Sequence, residues 1–63
     1  MDEYEVRAEI PQDPQPARVR LVGEEAESWI FEVLTYQDGS SGQGRRLPFT
    51  PEQAREYIRG WER

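Results

Sequence analysis

The sequence contains no cysteine and no histidine. Without cysteine, neither a disulfide framework nor a thiolate metal site can form. The missing histidine removes the usual general base near neutral pH, and the missing cysteine removes the most nucleophilic side chain. Lysine is absent too, so all 8 basic residues are arginine, whose planar forks suit carboxylate or phosphate. No apolar run approaches the roughly 18 residues of a membrane span. The opening Met1-Asp2-Glu3-Tyr4-Glu5 is acidic and lacks the apolar core of a secretory signal. The expectation is a cytoplasmic protein without a membrane partner. At 63 residues it is one domain (1–63), burying only about 60% of the surface that the unfolded chain exposes.

Acidic residues are what the chain has in excess, and they are unevenly placed. Residues 1–35 hold nine acids against three arginines, a net of −6, while residues 36–63 hold four against five, a net of +1. The total of −5 opposes non-specific attraction to nucleic acid, which comes from cations neutralising phosphates.

The hydrophobic pattern reads as strands followed by a helix. Tyr4, Val6, Ala8 and Ile10 alternate with charged residues, as in a strand with one buried face, giving an N-terminal strand within 1–10. The proline-rich stretch 11–17 ends it and reads as an extended connector with polyproline II character. Antiparallel strands fill 18–49. They are Arg18–Val22, a turn at 23–27, Trp29–Tyr36, a flexible loop of turn formers at 38–44, and a short strand at 45–49 whose Pro48 places it at a sheet edge. Trp29, Phe31 and Val33 form one face of the strongest strand. Ile30, Leu34 and Tyr36 form the other, around Glu32.

A C-terminal amphipathic helix is expected over 50–63. Thr50 is its N-cap, Pro51 its first residue, and Gln53 completes a capping box. Ala54, Tyr57, Ile58 and Trp61 share one side of it. The fold class is therefore α+β, a small antiparallel sheet of three to four strands with this helix packed on one face.

The sequence points away from catalysis, so an enzyme is not expected. Ser28, Ser40 and Ser41 have no activating partner in view, and a working site needs convergent groups. Glu24, Glu25 and Glu27 lack the spacing of a calcium loop, and the glycines at 39, 42 and 44 fit neither a phosphate-binding loop nor a dinucleotide fingerprint. No cofactor and no metal are expected.

From Trp29 onward the chain resembles the small three-stranded-sheet-plus-helix domains of the integrase arm-binding and ethylene-response DNA-binding type. The matching residues are Trp29-Ile30-Phe31-Glu32-Val33, Asp38-Gly39, Leu47-Pro48-Phe49-Thr50-Pro51-Glu52-Gln53-Ala54 and Tyr57-Ile58. The resemblance implies a sheet face laid in the DNA major groove, with Arg18, Arg20, Tyr36 and Arg46 as the contacting residues. Those domains are generally basic, whereas here Glu32 stands in the middle of the corresponding face.

The leading expectation is a small acidic, non-enzymatic protein-binding module, of the kind that phages and mobile elements use as inhibitors and nucleic-acid mimics. Its site residues would be Glu24, Glu25, Glu27, Ile30, Glu32, Leu34 and Tyr36, and its partner a protein with a basic surface. The alternative is a sequence-specific DNA-binding domain using Arg18, Arg20, Tyr36 and Arg46, which the net charge disfavours. A homodimer through the outer sheet face is compatible with either.

Overall fold

The computed structural model describes residues 2–62. Four antiparallel strands, β1 (Glu3–Glu5), β2 (Pro16–Glu25), β3 (Ser28–Tyr36) and β4 (Arg46–Phe49), lie side by side in chain order. One short helix, α1 (Pro51–Tyr57), follows and packs on the sheet, so the class is α+β as expected. Alternation in β3 sends Phe31 and Val33 into the core, where they meet Val19, Leu47, Phe49, Ala54, Ile58 and Trp61. Pro48 does mark an edge, since β4 is the last strand of the sheet.

The hairpin between β2 and β3 is tighter than the sequence suggests. Residues 23–25, expected in the turn, extend β2, and only Ala26 and Glu27 turn the chain. Two-residue loops match the twist of antiparallel strands but require positive φ, and Ala26 adopts +52°.

The helix is shorter than 50–63. Its start follows the sequence: Gln53 N donates to Thr50 Oγ1 at 3.1 Å, and Thr50 N donates to Gln53 Oε1 at 3.0 Å. Its end is set from the far terminus of the chain. Ile58 turns extended (φ −105°, ψ 121°) and bridges to Val6, while Arg59 N donates to Glu5 O and Arg7 N to Tyr57 O. Gly60, at φ +77°, then reverses the chain and drops Trp61 into the core. Trp61 lies 5.2–5.3 Å, centroid to centroid, from Trp29, Tyr4 and Phe31. The apolar stripe thus reaches the core, but its last two members arrive on extended chain.

The N-terminal strand is shorter too. After Val6 the chain leaves the sheet, and Ile10 enters the core from a loop. The following segment is folded around Gln15 rather than extended. Ile10 N donates to Gln15 Oε1 at 2.9 Å, and Gln15 Nε2 donates to the carbonyls of Ile10 and Gln12. The 38–44 loop, expected to be flexible, is hydrogen-bonded along its length. Tyr36 N donates to Ser40 O, Gly42 N to Leu34 O and Arg45 N to Gly42 O. Gly42 is buried against β3, where a Cβ would stand 1.9 Å from Val33 O.

Candidate protein-binding face

α1 covers one side of the sheet, and of the sequence-predicted residues the opposite side carries Arg18, Arg20, Ile30, Glu32, Leu34 and Arg46. A single row crosses all four strands there. Glu3 pairs in register with Arg20, Arg20 with Glu32, and Glu32 with Arg46. Charges alternate along the row. Arg20 Nη2 donates to Glu32 Oε1 at 2.7 Å, and that bond, then the nearby carboxylates, raises the guanidinium pKa further. Arg18 stands between Glu3 (3.5 Å) and Glu5 (3.7 Å). Arg46 is exposed and has no ion-pair partner among the described residues.

The expected apolar cluster is not contiguous. Ile30 and Leu34 are half-buried on this side and stay outside the core cluster. They are four residues apart on one strand, about 13 Å, with Glu32 between them. Tyr36 does not belong to the face. Register shifts between Pro16 and Val19 invert the alternation, so Thr35 stands opposite Arg18 while Tyr36 pairs with Pro16 and packs against the core. Beside Ile30 lie Gly23 on β2 and Pro48 on β4.

The three hairpin carboxylates are exposed at one end of the sheet. Glu24 is opposite Trp29 on the helix side, Glu25 is opposite Ser28, and Glu27 sits in the turn, so they ring the tip rather than share a face. None of the three has an ion-pair partner among the described residues.

Both sheet edges are partly blocked to strand addition. Along β1, Glu5 O and Arg7 N are bonded to the 57–59 segment. On β4, the bond from Val33 N to Arg45 O sets the phase of the ladder. Hydrogen-bonded pairs alternate in antiparallel sheets, so the main-chain groups of Leu47 and Phe49 face β3 and those of Arg46 and Pro48 face outward. Pro48 has no N–H, and the Thr50 N–H is held by Gln53. Arg46 therefore offers the lone outward donor of this strand, too little to template a new one.

Other groups are occupied structurally. Ser40 Oγ donates to Asp38 Oδ1 at 2.6 Å, and together with the Ser40 amide this holds the Asp38 carboxyl below its ordinary pKa. Among the described residues no three carboxylates converge as a cation site, and no helix is long and apolar enough to cross a membrane. A hollow of about 700 Å³, open to solvent, is lined by the 9–15 segment and by none of the predicted site residues. Comparison with family models, curated proteins and solved structures finds no match to this chain.

Proposed function

We propose that this chain is a small acidic, non-enzymatic binding module that seats on a basic protein surface, as an inhibitor occupying a nucleic-acid site would. Glu24, Glu25 and Glu27 make the electrostatic contact, and the neighbouring face at Ile30, Glu32 and Leu34 makes the flat one. One observation carries this reading. The arginines at the centre of the open face are already engaged by carboxylates, whereas the hairpin acids have no ion-pair partner among the described residues. Three like charges at one two-residue turn repel one another, and a basic partner relieves that repulsion.

DNA binding through Arg18, Arg20 and Arg46 would have to break the Arg20–Glu32 bond before a phosphate could be gripped, and Tyr36 is turned inward. The deciding experiment is affinity capture from the native host, with and without nuclease, using the wild type and a Glu24→Lys, Glu25→Lys, Glu27→Lys variant. The expected result is a nuclease-resistant protein partner lost on charge reversal. Undiminished capture by the reversed variant sinks the proposal. Salt-sensitive duplex binding that collapses on substituting Arg18, Arg20 and Arg46 would replace it with the DNA-binding reading.

A further inference from the structure

We infer that the open sheet face is a self-complementary surface that pairs with a second copy of this chain. The row Glu3, Arg20, Glu32, Arg46 reads minus, plus, minus, plus across the four strands. Reversed, it reads plus, minus, plus, minus. Two copies stacked face to face about a two-fold axis parallel to the strands, between β2 and β3, therefore set each charge over its opposite. Glu3 meets Arg46 of the second copy, and Arg20 meets its Glu32. A two-fold axis running along the row would instead set like over like, so the pattern selects one arrangement.

Two further observations fit the same overlay. The ends of the row are the members least satisfied within one chain: Arg46 has no described ion pair, and Glu3 is held only at 3.5 Å by Arg18. The two-fold joins those ends to each other. In the neighbouring row, Ile30 is placed over Gly23 of the second copy, so a protruding side chain meets a position that has none. A Cβ at Gly23 would find nothing within 4 Å in the single chain, so space is open there.

The scale of the face sets the strength. Four strands about 4.8 Å apart and three same-face rows give about 400 Å² per copy. A standard interface uses about 800 Å² per partner. The dimer is accordingly weak and reversible. The overlay brings both acidic hairpins to the same end, which opposes association and doubles the negative pole. This inference does not rest on the partner proposed above and is tested without it.

Salt alone is a poor test, because it screens both the attractive row and the repulsion between two chains of net charge −5. Charge exchange is a clean one. Sedimentation of the purified chain is followed over a concentration series reaching about 1 mM. The wild type is expected to shift from monomer to dimer. Arg46→Glu and Glu3→Arg are each expected to weaken the dimer at least about tenfold, and the double variant to restore it, because Arg at 3 then meets Glu at 46. Gly23→Val, which one chain can accommodate, is expected to weaken it as well. A chain that stays monomeric throughout overturns the inference. So does a dimer indifferent to the single reversals, or one that the double variant fails to restore.

Discussion

Arg7 reaches from the N-terminal segment to the end of α1, where its Nε–H donates to Glu56 O at 3.1 Å and its Nη2 to Arg55 O. The last carbonyls of a helix have no internal partner, and a cation there also meets the negative end of the helix dipole. Arg7→Ala is therefore expected to cost about 1 kcal/mol in chemical denaturation. Arg7→Lys should recover part of that, because an ammonium keeps the charge but cannot fork. Equal stability of all three proteins would show the contact to be idle.

Gly42→Ala should be among the most damaging single-methyl changes available. The new Cβ would sit 1.9 Å from Val33 O and 2.4 Å from Val33 C, backbone atoms of a central strand that cannot yield cheaply. Loss of the cooperative unfolding transition, or a fall in stability of more than about 3 kcal/mol, is expected. A thermal midpoint within a few degrees of wild type would contradict the buried position of this glycine.

Ala26→Gly should do the opposite. Ala26 turns the β2–β3 hairpin at φ +52°, where an L side chain crowds the following carbonyl. Relief of that crowding, less the extra freedom of glycine in the unfolded chain, leaves a gain of about 0.5–1 kcal/mol. Denaturation midpoints of the two proteins measure it, and a lower midpoint for the glycine variant would refute the turn geometry.

Trp61→Ala is expected to remove most of the folding free energy. Deleting a buried tryptophan costs about 3–5 kcal/mol. A chain of this size has roughly 3–9 kcal/mol in total, at the usual stability per residue. Near-UV circular dichroism should lose its aromatic signal along with the fold. A variant that unfolds like wild type would mean the ring is not the centre of the cluster.

Acid should loosen the 38–44 loop. The Asp38 carboxyl accepts bonds from the Ser40 hydroxyl and amide, so it sheds its proton more readily folded than unfolded. Over that range the unfolded chain binds more protons, and stability rises with pH. The contribution is complete above the ordinary aspartate value of about 3.9 and fades as pH falls through the lowered folded value. The Ser40 amide resonance should titrate with a midpoint below the ordinary one, and Asp38→Asn should abolish that titration. A midpoint at or above the ordinary value would exclude the bond.

What could be read in the sequence was whatever depends on near neighbours. The alternation through Trp29, Phe31 and Val33 and the Thr50–Gln53 box are local, and both stand in the structure. The end of α1 is not local. Its partners, Glu5, Val6 and Arg7, lie up to 54 residues away (Arg59 to Glu5), and no helical period reports them. The Gln15 side chain is similarly invisible as the post around which residues 10–12 close. At the candidate face, simple alternation placed Ile30, Glu32 and Leu34 correctly but failed at Tyr36, because a β-bulge inverts every residue beyond it. The charge row was latent in the sequence. It needed the register of three strand pairs, which composition cannot supply.

The contact between Tyr4 and Trp61 has a consequence for biosynthesis. Translation delivers the chain N-terminus first, at roughly 5–20 residues per second. Strands β1 to β4 all emerge before the tryptophan that roofs Tyr4, Trp29 and Phe31. Until it arrives, the nascent sheet holds an uncovered aromatic floor that is open to chaperones and to other nascent chains. Any pause or stop codon shortly before residue 61 would leave a polypeptide that holds all four strands and cannot close over them. The cell would meet it as a degradation substrate.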